Sequence, residues 1–314
     1  MPKLKSSRSV YAPCAVSSFF EICDTKEDGT RVEDPLKVGS RGGGFVIEKG
    51  NTTTAFTSNS LRQDTVKING KSTPQARTTL KVVELLRKEF RIPYVQIVHK
   101  ILPPIGSGFG TSGAGAVGAV ISLSDLFDLH LTLSEASSFA HRAEVESVTG
   151  LGTVISIISG SGAMGLVTEP GSYSIGRVDA LLSDYNDYTL VCASFGPIEK
   201  STVLQSAALR SKVNEYGREA MCKVLKDRTP ESLLRSSRSF AELTGIATPR
   251  LLKISDKAIE FGAVGSTQNM IGNAIHCLVE KKRRTKFLDS FLKLIPRESL
   301  FESELCHSGP TFLD

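Results

Sequence analysis

Residues 104–114 read Pro-Ile-Gly-Ser-Gly-Phe-Gly-Thr-Ser-Gly-Ala, the stretch of this chain best suited to chemistry. Gly106, Gly108 and Gly110 alternate, so the backbone can take left-handed angles and a ligand can approach the main chain closely. The loop runs into small residues, Ala114, Gly115, Ala116, Gly118 and Ala119, which predict a helix over 114–127. A helix that starts there turns unpaired amides and the positive end of its dipole toward the loop. Such an end binds anions, phosphate in particular. Thr111 and Ser112 add hydroxyls able to bond a phosphate or ligate Mg²⁺. No lysine follows the last glycine, so this is not a Walker A loop, and the glycine spacing does not fit a dinucleotide fingerprint. Read from its residues alone, the segment is a nucleotide phosphate loop, with a tightly packed glycine turn as the alternative.

Helices and strands must hold that loop. Over residues 1–60, Val10-Tyr11-Ala12-Pro13 predicts a strand and Gly42-Gly43-Gly44 opens onto Phe45-Val46-Ile47. Glu48-Lys49-Gly50-Asn51 predicts a turn before a strand at Thr52-Thr53-Thr54-Ala55-Phe56. Apolar residues at 80, 82, 83, 85, 86 and 90 have helical spacing, and Pro93 ends that helix before a strand from Tyr94 to Val98. Thr132, with Glu135 three residues on, predicts a capped helix carrying Ala136 to Val145. Gly150-Leu151-Gly152 is a turn, 154–168 is apolar and glycine-punctuated, and turn residues cluster over 170–187 as a boundary. The second half predicts a strand at 189–194, helices near 200–225, 230–244, 249–260 and 283–294, and a strand or loop over 261–268. Intermixed elements with antiparallel cues make this an α+β chain in two halves.

Composition narrows the classes. The chain has 314 residues, 38 basic against 33 acidic, a formal charge of +5 and 40% hydrophobic residues. That profile excludes disordered, collagen-like and disulfide-scaffold classes. No apolar run reaches the ~18 residues that a membrane helix needs. The basic N-terminus lacks the apolar core of a signal peptide, so it is expected to be mature protein. Cys14, Cys23, Cys192, Cys222, Cys277 and Cys306 form no CxxC pair and are expected as buried free thiols of a cytoplasmic protein. The mild positive charge suits an anionic small molecule. Lys281-Lys282-Arg283-Arg284 reads as a solvated helix end, not as a nucleic-acid site.

The loop resembles the second motif of the GHMP kinases (galactokinase, homoserine, mevalonate and phosphomevalonate kinases), usually written PxGxGLGSSAA. Ala140-His141-Arg142-Ala143-Glu144-Val145-Glu146, ending at Gly150-Leu151-Gly152, is similar to the family helix that supplies a Mg²⁺-binding glutamate. Gly265-Ser266-Thr267-Gln268-Asn269-Met270-Ile271-Gly272-Asn273 resembles the family's C-terminal glycine motif. The opening Ala12–Ile22, the segment Pro35-Leu36-Lys37-Val38-Gly39-Ser40-Arg41-Gly42 and Gly196-Pro197-Ile198 resemble the archaeal pantoate kinase branch. The resemblance implies an S5 domain 2-like N-terminal ATP-binding half over 1–180 and a ferredoxin-like C-terminal half over 181–314. It also implies that ATP binds in the cleft between the halves. Pro104, Gly106, Gly108, Phe109, Gly110, Thr111, Ser112 and Gly113 are the expected ATP-binding residues. Ser112 and Glu144 are the expected Mg²⁺ ligands, with Glu146 as the alternative to Glu144, and Arg41 joins them as a catalytic group. Ser17, Glu21, Ser40 and Arg41 are expected near the substrate. His141 reads as a satisfied helix histidine and Lys200 as a solvent-exposed lysine, rather than a base and a phosphate ligand.

One position departs from the branch. Where pantoate kinases typically read Gly-Leu-Gly-Asp, this chain has Gly150-Leu151-Gly152-Thr153, and a threonine cannot take a proton as a carboxylate can. Phosphoryl transfer depends mainly on positioning and charge neutralisation, so activity can survive that loss. The expected reaction is phosphorylation of the primary hydroxyl of a short branched hydroxy acid. Mevalonate 3-phosphate is the expected acceptor, because losing a negative charge suits an extra phosphate, and pantoate is the alternative. A catalytically silent nucleotide-binding regulator is the reading from another class. No nucleic-acid or membrane partner is expected, and the family reading leaves room for a homodimer.

Overall fold

The computed structural model describes residues 5–26, 28–160, 163–197 and 206–313. In chain order the first half comprises β1 (Lys5–Ser6), β2 (Ser9–Cys23), β3 (Gly39–Thr57), β4 (Thr65–Ile68), β5 (Lys71–Ser72), α1 (Arg77–Phe90) and β6 (Val95–Ile101). It continues with α2 (Thr111–Leu126), α3 (Leu133–Glu146), α4 (Thr153–Ser159), β7 (Met164–Glu169) and β8 (Arg177–Ala180). The second half holds β9 (Tyr188–Ser194), α5 (Ala207–Lys226), α6 (Pro230–Thr244), α7 (Pro249–Glu260), β10 (Gly265–Gln268) and β11 (Ala274–Glu280). α8 (Arg284–Phe291), β12 (Leu300–Glu304) and β13 (Thr311–Leu313) complete it.

Among the described residues the strands form two sheets, one of nine strands around β2, β3 and β6 and one of four in the order β10-β11-β9-β12. The α+β expectation holds. β3 is the spine of the larger sheet: its first part pairs with β7 at Gly42–Phe45 and its last part with β6 at Asn51–Thr57, while β2 runs along its other edge. The glycine run makes this crowding possible. A Cβ on Gly42 or Gly44 would lie 2.4 Å from the Phe19 carbonyl oxygen or 2.1 Å from that of Val16.

The turn expected at 48–51 is absent. β3 runs straight through it, and the two extra residues are absorbed as a bulge opposite Ala12–Cys14, where Gly50 presses on the Ala12 carbonyl. A hydrophilic Glu-Lys-Gly-Asn run mimics a turn, yet pairing on both sides keeps it extended. A second bulge falls between Ser17 and Phe19, leaving Ser18 without a partner across the ladder. Bulges re-aim side chains, and this one turns Ser18 toward the smaller sheet.

Most helix expectations hold. Thr132 and Glu135 form the reciprocal capping box of α3, and Thr229 and Thr248 cap α6 and α7 with proline in the first turn. α2 begins three residues before the expected start, so Thr111 and Ser112 sit in its first turn behind Gly110 in the left-handed region. β11, β12 and β13 were not foreseen; β11 (Ala-Ile-His-Cys-Leu-Val-Glu) is buried on both faces and shows no alternation to read. Alternate residues of the smaller sheet face two cores. Val191, Ile275 and Cys277 pack with α7 and α8, while Leu190, Cys192 and Leu278 join the main core.

The six cysteines are free, but only Cys14, Cys192, Cys277 and Cys306 are buried; Cys23 is partly exposed and Cys222 exposed, since α5 turns that face to solvent. Each member of the basic run is paired with a glutamate: Lys281 with Glu304, Lys282 and Arg283 with Glu280, and Arg284 with Glu302. Among the described residues no helix is long and apolar enough to cross a membrane.

α2 lies flat on β3 because its small residues allow it. A Cβ on Gly118 would stand 2.3 Å from Thr53 Oγ1, itself hydrogen-bonded at 2.8 Å to the buried His99. Gly118→Ala is therefore expected to lower stability by about 2 kcal/mol. Urea unfolding checks this, and an unchanged midpoint would contradict the packing.

Candidate active site

The glycine loop is held in its conformation from three sides. Gly106, Gly108 and Gly110 have φ of +80°, +80° and +64°, the region that disfavours side chains. Their surroundings leave no room for one either. A Cβ would lie 2.6 Å from the Pro197 side chain at Gly106, 2.8 Å from that of Asn269 at Gly108, and 2.7 Å from the Ala15 carbonyl at Gly110. Ser107 is buried and its hydroxyl donates to the Gly196 carbonyl at 3.2 Å. Phe109 is buried against Phe301 edge-to-face, ring centroids 5.1 Å apart, so it anchors the loop through its ring. Pro104 stands at the loop's half-exposed entrance, and Thr111, Ser112 and Gly113 form the first turn of α2. That turn contains no acidic residue, which leaves its amides and dipole open to an anion.

Glu144 approaches the same turn from α3. It is 1% exposed, and Ser112 Oγ donates to its Oε1 at 3.4 Å. Two glycines admit it: a Cβ would stand 3.2 Å from Oε1 at Gly113 and 2.5 Å at Gly150. Glu146, two residues on, points the other way and pairs with Arg142 and Lys81. Helical geometry demands that separation. His141 is buried, and its Nε2 donates to the Val38 carbonyl at 2.9 Å. Burial pushes its imidazole below the usual histidine range, so it ties α3 to the strand entry as a neutral ring.

A cleft of about 100 Å³ opens beside Gly108 and Gly110, between β2, β3, the 149–153 turn and the β10–β11 turn. Its polar side chains are all hydroxyls: Ser17, Ser40, Thr149, Thr153 and Ser156. Phe19, Phe20, Phe45 and Val167 make the remainder apolar, and no charged side chain among the described residues lines it. Thr153 lies at the junction, its methyl against Gly110 and Gly113. Ser40 crowds Gly152, where a Cβ would come 2.3 Å from its Oγ.

Glu21 and Arg41 pair with each other across β2 and β3, and neither lines the cleft. Arg41 Nε donates to Glu21 Oε2 at 2.8 Å, and Arg218 on α5 donates to Oε1 at 2.9 Å. Two arginines thus share one buried carboxylate. Arg218 carried no recognisable sequence signal, because it lies nearly two hundred residues from Glu21 on an ordinary amphipathic helix. Met270 and Ile271, within the C-terminal glycine motif, form the cleft's far wall. Lys200 and Ile198 lie outside the described residues.

A left-handed glycine loop at a helix N-terminus, a buried carboxylate beside its first turn and an adjoining cleft are an arrangement suited to phosphoryl transfer. Residues 77–161 match the family described as the GHMP kinases N terminal domain. The chain is similar to a pantoate kinase of Thermococcus kodakarensis, 31% identical over 81% of this chain and 84% of the relative. It is also similar to one of Methanocaldococcus jannaschii, 29% identical over 87% and 93%. A solved structure described as a phosphotransferase related to the CoA biosynthesis pathway superposes with a TM-score of 0.82, at 27% identity over 98% of both chains. The chain belongs to the GHMP kinase family, a phosphotransferase that acts on a hydroxyl group, and GHMP kinases use ATP.

Gly110→Ala is expected to weaken Mg-ADP binding at least tenfold, since the new Cβ meets Ala15 and Thr153 in a left-handed conformation. Calorimetric titration checks this. Unchanged affinity in the folded variant would contradict the loop geometry.

Proposed function

We propose that this chain transfers the γ-phosphoryl group of ATP to the primary hydroxyl of pantoate. The observation that carries the acceptor is the cleft lining: hydroxyls, glycines and apolar side chains, with no charged side chain among the described residues. Pantoate is a short acid with two methyl groups beside its primary alcohol, and those methyls suit Phe19, Phe20 and Val167. Arg41 and Arg218 around Glu21 leave one net positive charge beside the cleft, enough for a single carboxylate; mevalonate 3-phosphate would add a phosphate dianion for which no further cation lines the cleft among the described residues. The similarity to pantoate kinases supports the same choice.

The α2 amides and the glycine loop receive the ATP phosphates. The acceptor oxygen bonds to the γ-phosphorus as the bond to the bridging oxygen breaks; the hydroxyl proton passes to solvent and ADP leaves. Ser17 and Ser40 bond the acceptor, and Thr153 borders its reacting end. Arg41 and Arg218 outnumber the Glu21 carboxylate they share, leaving net positive charge next to Ser40 for the acceptor's carboxylate. The adjacent oxygens of Ser112 and Glu144 suit the hard-oxygen preference of Mg²⁺, and these two residues would hold it. Bound there, the ion would neutralise charge on the phosphoryl oxygens. With threonine at 153, catalysis rests on positioning and charge neutralisation rather than on a carboxylate base.

Thr153 itself favours a second reading, mevalonate 3-phosphate as acceptor, because a neutral residue there spares a phosphorylated substrate from like-charge repulsion. ADP release from Mg-ATP with pantoate, mevalonate and mevalonate 3-phosphate decides between them. Turnover is expected with pantoate; turnover confined to mevalonate 3-phosphate would replace it with the second reading. Glu144→Gln is expected to lower turnover roughly 100-fold. Thr153→Asp is expected to keep or raise pantoate turnover, and a tenfold fall would count against pantoate.

A further inference from the structure

The turn between β10 and β11 touches both walls of the cleft. Met270 N donates to the Ser17 carbonyl at 3.0 Å. Gly272 sits so near the phosphate loop that a Cβ there would lie 2.3 Å from the Ser107 carbonyl oxygen. Behind this turn runs a buried chain of hydrogen bonds whose polarity is fixed by its chemistry. Asn269 Nδ2 donates to the Ser107 carbonyl at 3.2 Å. That donation orients the amide, because the reverse placement would set its oxygen against a carbonyl. Asn269 Oδ1 then faces His276 Nδ1 at 2.9 Å, so Nδ1 carries the imidazole proton. His276 Nε2 is consequently bare and accepts from Ser18 Oγ at 2.8 Å. Ser18, Asn269 and His276 are each 0% exposed. Burial pushes the His276 imidazole down to about 3, so it keeps the neutral form this chain of bonds requires. Its ring also packs edge-on against Phe45, centroids 5.5 Å apart.

We propose that His276 is a positioning residue for phosphoryl transfer: through Asn269 it fixes the Ser107 carbonyl, and with it the loop conformation between Gly106 and Gly108. This rests on the reading of residues 106–113 as the ATP phosphate loop. Glycines on both sides of Ser107 make its flanking peptides free to rotate, and a rotated peptide turns its amide away from the phosphates. The smaller sheet thereby holds a loop that the larger sheet carries. The Ser18 bulge supplies the far end of the chain, one residue from Ser17 in the cleft.

Two substitutions in the full chain separate this role from plain packing. His276→Phe keeps a ring against Phe45 but removes donor and acceptor together. His276→Asn places an amide nitrogen near the Nδ1 position, keeps the donation to Asn269 and loses the bond to Ser18. NMR order parameters of residues 106–110 in the ligand-free chain are expected near the rigid value of about 0.85 in the parent and below about 0.6 in His276→Phe. The KM for ATP is expected to rise at least tenfold in His276→Phe with a smaller change in kcat, and to return within threefold in His276→Asn. A rigid loop and unchanged KM in His276→Phe, or a His276→Asn variant no better than it, would overturn the proposal. Should His276→Phe not fold, Asn269→Asp removes the donor to Ser107 at constant size; a loop as rigid as the parent's would overturn the proposal equally. Protection of the 106–113 segment by Mg-ADP in the parent tests the nucleotide reading separately. Its absence would sink that reading, while the ligand-free order parameters would still judge His276.

Discussion

Everything at this site depends on three glycines that have no room for side chains. Pro197 closes over Gly106, Asn269 over Gly108, and Thr153 with Ala15 over Gly110. Each neighbour comes from a different part of the chain, so segments far apart in sequence together confine the loop to its left-handed form. The reward for that crowding is a helix N-terminus whose amides stay accessible to an anion and whose dipole faces the cleft. A loop held from three sides also loses little conformational entropy when a ligand arrives.

Glycine does related work around Glu144. Gly113 and Gly150 make space for a carboxylate that is almost wholly buried, and α3 turns Glu144 inward while Glu146 is spent on surface ion pairs. Selection between two carboxylates two residues apart is set by helix geometry alone. Thr153 then occupies the corner shared by the loop, the carboxylate and the cleft. Under the proposed function a residue at that corner borders phosphate, metal and acceptor together, and its identity then bears on the choice of substrate.

Local signals in the sequence were strong where chemistry is local. The loop needs glycine at defined steps, α3 needs Thr132 and Glu135 to start, and both were legible from residue types alone. Signals failed where pairing partners are distant. Glu48–Asn51 has turn composition yet lies inside β3, because Ile47 and Asn51 at its two ends pair with β2 while the residues between them bulge, and the Ile47–Leu305 bridge adjoins it. β11 offers no alternation since both faces are buried, so nothing in its pattern marks His276. The Ser18 bulge and the sharing of Glu21 by Arg41 and Arg218 are products of long-range register, to which periodicity is blind.

The central claim is that loop and cleft form one reaction centre, with the transferred phosphoryl group at the α2 N-terminus and the acceptor hydroxyl beside Thr153. A crystal structure with Mg²⁺, a non-hydrolysable ATP analogue and pantoate tests it most directly. The account predicts phosphate oxygens within hydrogen-bonding distance of the amides of residues 110–113, and the pantoate hydroxyl aimed at the γ-phosphorus from between Ser17 and Thr153. Phosphates bound away from that turn, or an acceptor seated outside the cleft, would contradict it.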